Sequence, residues 1–389
     1  MSKYLIIGNG VAGTIAAENI RKYDKRGRII IVTDEDLPFY YRLRLNEYIS
    51  GELNESELRA RDEKWYEEQD VELMLNTRIS GKGSDEKTVV TESNMKISWD
   101  SLLIATGSHS FIPPIKGVEK KGVFALRTVQ DARNISTWAE KIEDVVLIGG
   151  GLLGLEAGNA LLKMGKKVSV VEFFPRLLPR QLDQEGAKKL QHIMEEMGFS
   201  FRLGAKTEAI VGDDQVSHIL LDGGETLPAQ MTIISAGVRS NLEMAEALGL
   251  DYDKGIKVDE NLSTSRGEIF AAGDVAEFRG MTYGIWTAAL EQGKIAGANM
   301  AGRDERYEGT VMANTLKVVG IDLAAGGNID AENEFESEVV SSGLHYKKIV
   351  IDKDKIIGCI MLGDTKKFSR VNKAISRKEK FSEIKDQVL

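Results

Sequence analysis

Two short stretches, YLIIGNGVAG at residues 4–13 and VVLIGGGLLG at residues 145–154, decide the fold. In each stretch an apolar run leads into glycines spaced G-x-G-x-x-G, and a helical segment follows. A second apolar run comes next and ends in acidic residues. These are Asp34 and Glu35 after the first stretch and Glu172 after the second. This order of strand, glycine turn, helix, strand and acid is typical of a dinucleotide-binding βαβ unit. One such motif would be weak, but two correctly flanked copies predict an α/β protein with two Rossmann-like domains.

The composition limits what the chain can be. Of its 389 residues, 42% are hydrophobic and 29% are charged, and the formal net charge of −9 argues against a nucleic-acid clamp. The four histidines lack metal-ligand spacing, and the single cysteine, Cys359, excludes an intramolecular disulfide and a Cys-rich metal centre. The apolar start runs directly into Gly8 without a signal-peptide core, and no stretch is long enough to span a membrane. We therefore expect a cytoplasmic protein with no metal and no membrane or nucleic-acid partner.

The distance between the two motifs predicts the domain boundaries. We expect the first nucleotide-binding domain at residues 1–113 and 237–309, and the second at residues 114–236. Beyond about residue 310 the glycine pattern stops. Alternating apolar segments, followed by a helix at Lys366–Ile375, predict a C-terminal α+β interface domain at residues 310–389.

The first glycine turn has the residues that a phosphate needs. A helix N-terminus offers unpaired backbone N–H groups and a favourable dipole. Gly8 allows the tight turn, Gly10 lets a pyrophosphate approach, and Gly13 lets the helix pack closely on the sheet. An acid about twenty residues further on can bind ribose hydroxyls, and Asp34 and Glu35 are the candidates, with Thr33 at the strand end. The alternative is a glycine turn that only connects strand to helix.

The second turn favours NADH. Glu172 ends the strand, where a carboxylate accepts hydrogen bonds from both ribose hydroxyls and repels the 2′-phosphate of NADPH. Arg176 is close enough in sequence to keep NADPH open. Glu156, two residues past Gly154, lies on the first turn of the helix. It either approaches the nicotinamide or is simply favourable at a helix N-terminus.

A third motif follows later in the chain. The segment IFAAGD, residues 269–274, predicts a strand that ends in Gly273 and Asp274 at a loop tip. A short acid there could accept hydrogen bonds from a polyol such as the ribityl chain of a flavin, although the motif alone is more often an ordinary turn. The helix that begins near Trp286 would direct its positive end towards a reduced flavin ring.

With these motifs in place, the whole chain resembles the two-dinucleotide-binding-domain flavoproteins, the pyridine nucleotide–flavin oxidoreductases, and most of all their NADH:rubredoxin oxidoreductase branch. The matching segments are IIGNGVAG (6–13), LIATGS (103–108), IGGGLLGLE (148–156), IFAAGD (269–274) and LKVVGIDL (316–323). The resemblance implies FAD contacts at Gly8, Asn9, Gly10, Val11, Ala12, Gly13, Thr33, Asp34, Glu35, Arg42, Ile79, Ala105, Thr106, Gly107, Gly273, Asp274 and Trp286. It implies NADH contacts at Gly149, Gly150, Gly151, Leu152, Leu153, Gly154, Glu156, Glu172 and Gly237.

Departures from the family narrow the reaction. Disulfide reductases place a cysteine pair beside the flavin, and other branches have one redox cysteine where this chain has Leu43. Without a thiolate there is no thiol relay, so the flavin itself carries the chemistry and no side chain need act as nucleophile. Lys317, in the matched C-terminal segment, lies near the flavin edge, lies at a docking surface, or is simply solvated. Relatives that reduce ferredoxins often have a lysine where this chain has Glu47.

The resemblance implies an enzyme that oxidises NADH and passes electrons singly to rubredoxin or a similar small acidic iron–sulfur protein. The segment Lys366–Leu389 is rich in Lys and Arg, and either steers such a partner or forms a solvent-facing helix. Ferredoxin, a nitrite reductase module or oxygen are alternative acceptors on the same fold. A redox sensor that binds FAD and NADH without useful turnover is an alternative of another class.

Overall fold

The structure is a computed structural model that describes residues 1–310 and 313–389, with only the backbone path given for 313–318. Its contacts divide the chain into two compact units. The first unit contains Met1–Arg42, Asn54–His109 and Val238–Thr310. The second contains Leu43–Leu53, Ser110–Gly237 and Val311–Leu389.

The strands, in chain order, are β1 (Lys3–Ile7), β2 (Arg28–Val32), β3 (Val71–Met74), β4 (Ile79–Lys82), β5 (Thr88–Thr91), β6 (Lys96–Ser98), β7 (Ser101–Ile104), β8 (Ser108–Ser110), β9 (Val123–Phe124), β10 (Asp144–Ile148), β11 (Lys167–Glu172), β12 (Phe199–Leu203), β13 (Thr207–Val211), β14 (His218–Leu221), β15 (Thr226–Pro228), β16 (Met231–Ile234), β17 (Val238–Ser240), β18 (Ile256–Val258), β19 (Ile269–Ala271), β20 (Ala276–Phe278), β21 (Ala313–Val318), β22 (Ile321–Gly327), β23 (Glu336–Ser342), β24 (His345–Asp352) and β25 (Lys355–Leu362).

The helices are α1 (Val11–Tyr23), α2 (Leu45–Ile49), α3 (Glu55–Leu58), α4 (Glu63–Glu68), α5 (Val129–Ala139), α6 (Leu152–Lys163), α7 (Gln184–Glu196), α8 (Glu243–Leu248), α9 (Trp286–Met300), α10 (Phe368–Arg377) and α11 (Phe381–Val388).

The first unit is built on a parallel sheet in the order β19-β7-β1-β2-β3. Its central strand pairs on both sides, so that Ile7 lies opposite Val32 and Ile104. Successive residues of β1 enter different cores, with Ile6 in one and Leu5 in the other. Both faces of the sheet are therefore buried, which explains the continuous apolar runs. The strand order reverses at β1, and such a switch point is where open α/β sheets bind ligands.

Two helices of the first unit pack closely on one another. A Cβ added at Gly293 of α9 would lie 2.4 Å from the Ala12 carbonyl oxygen, and one at Gly297 would lie 2.3 Å from that of Ala16. Only glycine permits this backbone approach, which fixes α9 against α1, the helix that follows the first glycine turn.

The second unit repeats this architecture. Its parallel sheet has the order β12-β11-β10-β16-β9, and Ile148 of the central strand lies opposite Val171 and Ile234. The second glycine turn again follows the central strand. Residues 43–53 group with this unit, and their helix α2 packs on α5 and α6.

An antiparallel sheet in the order β21-β22-β25-β24-β23 forms the C-terminal part of the second unit. Helices α10 and α11 cover one face, where Phe368, Val371 and Phe381 join the sheet residues in a buried core. The helix expected at Lys366–Ile375 begins and ends two residues later, at Phe368 and Arg377. The fold class is α/β as expected, with two Rossmann-like sheets and a C-terminal α+β domain.

Smaller antiparallel sheets, β4-β5-β6 and β13-β14-β15, extend the two units. None of the helices in residues 1–310 and 313–389 has the length and apolarity needed to cross a bilayer.

Candidate dinucleotide sites

The first glycine turn is shaped by backbone contacts that exclude side chains. Gly8 has φ +111°, and a Cβ there would lie 2.2 Å from the Ala105 carbonyl oxygen. A Cβ at Gly13 would lie 2.0 Å from the Gly8 carbonyl oxygen. A Cβ at Gly10, by contrast, would meet no described atom within 4 Å. Gly8 and Gly13 are therefore needed by the turn itself, whereas Gly10 borders open space in which a ligand can approach.

Helix α1 begins directly at this open space. Its N-cap is Gly10, and no side chain in the described part of the chain caps it or adds an acid to its first turn. The first N–H groups of a helix have no partner inside the helix. The N–H groups of Val11, Ala12 and Gly13 thus lie at the positive end of the α1 dipole, which suits a pyrophosphate.

Asn9 offers a buried donor in the same turn. Its Oδ1 accepts hydrogen bonds from the Thr14 hydroxyl at 3.2 Å and from the Tyr66 hydroxyl at 3.0 Å. Its Nδ2 is buried and has no partner among the described residues. A buried amide N–H that lacks a partner is costly, so a bound acceptor fits this position. Burial raises the pKa of Tyr66, which keeps its hydroxyl protonated as a donor. No feature of the sequence pointed to Tyr66, which lies 57 residues from Asn9.

The acids after β2 differ in their surroundings. Thr33 is buried, and Asp34 is exposed. Glu35 is half-buried, accepts a 2.5 Å hydrogen bond from the Tyr40 hydroxyl and forms an ion pair with Arg42. Burial alone would lower the pKa of Arg42, but Tyr40 and Glu35 outweigh it and raise the pKa. The structure thus joins two of the predicted FAD residues, Glu35 and Arg42, in one charged pair.

Two further predicted FAD segments lie at or beside the carboxyl edge of the first sheet. Ala105, Thr106 and Gly107 follow β7, and the Asn241 side chain donates to the Thr106 carbonyl oxygen at 2.7 Å. Gly107 has φ +69°, a conformation that favours glycine. Ile79 lies on β4 and is half-buried against the core that contains Leu5.

Asp274 is held by two serines. The Ser108 hydroxyl donates to its Oδ2 at 2.9 Å, and the Ser240 hydroxyl donates to its backbone carbonyl oxygen at 2.7 Å. The Gly273 N–H donates to Gln292 on α9 at 2.8 Å. The Asp274 carboxylate also contributes to the raised pKa of Arg42.

Trp286 lies at the first residue of α9, as expected. Its ring stacks on Phe39 at 5.9 Å and 26° and on Tyr41 at 5.8 Å and 25°. Tyr41 is exposed, so this aromatic cluster reaches the surface beside the helix N-terminus. The sequence did not indicate either stacking partner.

The second glycine turn has the geometry of the first. A Cβ at Gly149, where φ is +107°, would lie 2.3 Å from the Ser235 carbonyl oxygen, and one at Gly154 would lie 2.8 Å from the Ser235 Cβ. A Cβ at Gly151 would have no described neighbour closer than 3.7 Å. Helix α6 begins after Gly151 with Leu152 and Leu153 in its first turn. The open position and the helix N-terminus again suit a pyrophosphate.

Glu172 is tied to this turn. Its buried carboxylate accepts hydrogen bonds from the Gly150 N–H at 2.5 Å and from the Phe174 N–H at 2.8 Å. A carboxylate has about four acceptor positions, so two remain for ribose hydroxyls. Gly237, after β16, is exposed with φ +98°, and a Cβ there would meet no described atom within 4 Å.

Glu156 connects three segments of the second unit. Its carboxylate accepts hydrogen bonds from the Asn46 side chain at 3.0 Å and from the Val319 N–H at 2.9 Å. Val319 has φ +56°, a strained conformation for a β-branched residue. Burial raises the pKa of Glu156. The sequence indicated Glu156 but neither partner, because both are more than 100 residues away in the chain.

The remaining candidates lie in the C-terminal domain. The side chain of Lys317 lies outside the described residues. Cys359 is buried, and burial raises its pKa to about 12. Part of the basic segment is neutralised by Arg370–Glu379 and Lys385–Glu338 ion pairs, each at 2.6 Å. Among the described residues, no cluster of three or more His, Cys, Asp or Glu is placed to hold a metal ion.

Two parallel sheets, each with a glycine turn of this geometry after its central strand, define an oxidoreductase fold with two dinucleotide-binding domains. A family model described as pyridine nucleotide-disulphide oxidoreductase matches residues 2–293, and one described as the rubredoxin NAD+ reductase C-terminal domain matches residues 313–379. The chain belongs to the pyridine nucleotide-disulphide oxidoreductase family, whose members are NAD(P)H-dependent flavoproteins.

Relatives within this family differ in length and in name. A nitrite reductase [NAD(P)H] of Bacillus subtilis is 34% identical over 97% of this chain, which spans only 48% of that protein. An NADH-rubredoxin oxidoreductase of Clostridium acetobutylicum is 29% identical over 98% of this chain and 97% of its own length. The crystal structure of an NADH:rubredoxin oxidoreductase from the same organism has a TM-score of 0.85 and 27% identity, and the match covers 100% of this chain and 98% of that one. The chain therefore spans about half the length of one relative and nearly all of another.

Proposed function

We propose that this protein is an FAD-dependent oxidoreductase that takes a hydride from NADH and passes the electrons one at a time to rubredoxin or a similar small acidic iron–sulfur protein. The observation that carries the proposal is the repeated glycine-turn geometry, in which an open glycine precedes an uncapped helix after each central strand. A cytoplasmic location remains part of this prediction.

The first turn would hold FAD, in a domain formed by residues 1–113 and 237–309. Backbone N–H groups of Val11, Ala12 and Gly13 would bind its pyrophosphate, and the unpartnered Asn9 Nδ2 would donate to it. Asp274, fixed by Ser108, would accept from the ribityl hydroxyls. When bound, FAD accepts a hydride and releases electrons singly, which is the chemistry that the chain's own side chains lack.

The second turn would hold NADH, in a domain formed by residues 114–236. Glu172 would accept from the ribose hydroxyls through the acceptor positions that Gly150 and Phe174 leave open. This carboxylate would repel the 2′-phosphate of NADPH, which supports the preference for NADH. Glu156 would approach the nicotinamide end through the acceptor positions that Asn46 and Val319 leave open.

The cysteine content separates this chain from dithiol-using enzymes. A thiol relay needs a reactive thiolate. Cys359 is the single cysteine of the sequence, and it is buried with a pKa raised to about 12. The proposal therefore routes no electrons through sulfur.

The proposed acceptor rests on similarity over nearly full length. The Clostridium acetobutylicum NADH-rubredoxin oxidoreductase is matched over 97% of its length, and the C-terminal match is to a rubredoxin reductase domain. A second candidate acceptor is a nitrite reductase module, because the chain matches about half of the Bacillus subtilis enzyme.

Acceptor-dependent turnover tests the proposal. We expect anaerobic NADH consumption by the FAD-loaded protein to be slow alone and to rise in proportion to added rubredoxin. Consumption that ignores rubredoxin would reject it as the acceptor if it follows oxygen when the assay is repeated in air, or follows an added nitrite reductase module without air. Flavin that NADH does not reduce would instead indicate a non-catalytic sensor.

A further inference from the structure

We propose that the C-terminal domain controls coenzyme binding at the second glycine turn through two ion pairs with residues 173–183. Lys348–Asp183 supports the affinity for both coenzymes, and Glu332–Arg176 sets the preference for NADH. This inference rests on the proposed function, because it treats the second turn as the NADH site. Residues 173–183, called the recognition loop from here on, connect β11 to α7.

The first half of the recognition loop, residues 173–177, packs against the glycine turn. A Cβ at Gly150 would lie 2.9 Å from the Leu177 Cδ2, and Leu177 is fully buried. The Phe174 N–H donates to the Glu172 carboxylate, which also accepts from the Gly150 N–H. A shift of this loop would therefore move Glu172 and the wall of the turn together.

The far end of the loop is held by buried charges of the C-terminal domain. Asp183 caps α7 through the Gly186 N–H at 3.0 Å, and its Oδ2 accepts from the Tyr346 hydroxyl at 2.6 Å and lies 3.3 Å from the Lys348 Nζ. The Lys348 side chain is 1% exposed and also donates to the Asp330 carbonyl oxygen at 2.7 Å. Removing one partner of a buried ion pair leaves an uncompensated charge, so this contact resists opening.

The same half of the loop carries Arg176, whose guanidinium is the kind of group that would bind the 2′-phosphate of NADPH. Arg176 is the first basic residue after Glu172 in the sequence, and guanidinium groups bind phosphate well. Its NH2 group lies 3.4 Å from an oxygen of Glu332 in the C-terminal domain. The ion pair engages one terminal nitrogen of the guanidinium. Glu332 is the exposed and replaceable partner, with 75% of its side chain accessible against 21% for Arg176.

The two contacts have separable consequences. Glu332→Gln releases Arg176 without changing a buried group. The affinity for NADPH-type coenzymes should therefore rise relative to the affinity for NADH-type ones. Asp183→Asn keeps the helix cap, since Asn is also a good N-cap, but removes the charge that pairs with Lys348. The loosened loop should weaken binding of both coenzymes while leaving the maximal rate at saturating NADH unchanged. Lys348 and Glu332 are thus positioning residues, which act on the coenzyme through the loop.

Calorimetric titration of the FAD-loaded full chain with NAD+ and with NADP+ tests this inference without turnover. For Glu332→Gln we expect the affinity ratio of NADP+ to NAD+ to rise about two- to fivefold, the range expected from an exposed ion pair. The matched control is Glu338→Gln, which removes an ion pair with Lys385 in the same domain, away from the loop. For Asp183→Asn we expect a raised KM for NADH at unchanged kcat, and for the control Arg370→Gln neither change.

Two results together would overturn the inference while the native protein still binds NAD+. The first is an affinity ratio of NADP+ to NAD+ that is the same in Glu332→Gln and Glu338→Gln. The second is an Asp183→Asn variant with the KM and kcat for NADH of the native protein. A native protein that binds no NAD+ would overturn the proposed function as well. Tyr346→Phe provides a further variant should Asp183→Asn not fold. It removes the 2.6 Å hydrogen bond to the Asp183 Oδ2 without leaving a buried charge, and it should raise the KM for NADH in the same way.

Discussion

The backbone N–H of Gly150 donates a hydrogen bond of 2.5 Å to the carboxylate of Glu172, which joins the glycine turn to the acid at the end of the next strand. The two residues are 22 positions apart, and parallel pairing of β10 with β11 brings them together. The turn that suits a pyrophosphate and the acid that suits a ribose are therefore parts of one bonded arrangement. A change at Glu172 should therefore affect both the glycine turn and the proposed coenzyme site.

Glu172→Lys should weaken NADH binding far more than NADPH binding. The substitution removes a carboxylate that would accept ribose hydroxyls and adds a positive charge that attracts a 2′-phosphate. Hydrogen bonds to charged groups contribute about 1.5–3 kcal/mol, so a loss of tenfold or more is expected for NADH. Steady-state KM values for both coenzymes measure this change in preference. The control is Glu208→Lys, which makes the same substitution at an exposed residue. An unchanged preference would remove Glu172 from its role.

Gly10→Ala and Gly13→Ala should separate binding from folding. A Cβ at Gly10 meets no described atom within 4 Å, so the alanine variant should fold normally but lose FAD affinity at least tenfold, about 1.4 kcal/mol. A Cβ at Gly13 would lie 2.0 Å from the Gly8 carbonyl oxygen, so that variant should be destabilised by about 1–3 kcal/mol. Flavin content and thermal unfolding of the apoprotein measure the two effects. Full flavin occupancy in Gly10→Ala would contradict the assignment.

Glu156→Gln should change how stability depends on pH. Burial raises the pKa of Glu156 above its ordinary value of 4.5, so the native state holds this proton more tightly than the unfolded chain does. The stabilisation is present below pH 4.5 and is lost as the pH rises through the native pKa. Glutamine cannot titrate, so the stability of the variant relative to the native protein should increase from pH 4.5 upward and then level off. Denaturant unfolding at several pH values measures it, and a constant difference would contradict the account.

Cys359 should be inert in the native protein. It is buried with a pKa raised to about 12, so almost no thiolate is present at pH 8. A disulfide reagent should label one thiol in guanidinium and essentially none in the folded protein. Cys359→Ala should keep NADH-dependent flavin reduction within about twofold, since catalysis would use no thiolate. Rapid native labelling, or loss of flavin reduction in the variant, would reveal a thiol role.

The local motifs allowed the fold class and the glycine roles to be predicted from the sequence. Glycines in fixed spacing after an apolar strand can be interpreted without knowing the rest of the molecule, because the turn, the helix and the strand are adjacent in the chain. The helix expected near Trp286 begins at that residue. The fold class, the two Rossmann-like sheets and the C-terminal α+β domain are confirmed.

Contacts between distant segments could not be predicted in this way. Tyr66 on Asn9, Val319 on Glu156 and Lys348 on Asp183 are pairings over 57 to 165 positions, which depend on how the sheets pack. Neither periodicity nor spacing encodes them. The later end of α10 has a local cause, because Lys378 takes the left-handed conformation, with φ +53°, that ends the helix at Arg377. The cofactor contacts and domain assignments remain predictions.

Anaerobic titration with NADH tests most directly whether two dinucleotides exchange a hydride on this chain without a sulfur relay. The native protein, loaded with FAD, should lose its flavin absorbance within seconds and with one equivalent of NADH. Gly151→Ala, whose added Cβ would have no described neighbour closer than 3.7 Å, should fold normally but bleach at least tenfold more slowly at a subsaturating NADH concentration. A preparation that cannot be reconstituted with flavin, or a Gly151→Ala variant that bleaches as fast as the native protein, would contradict the account.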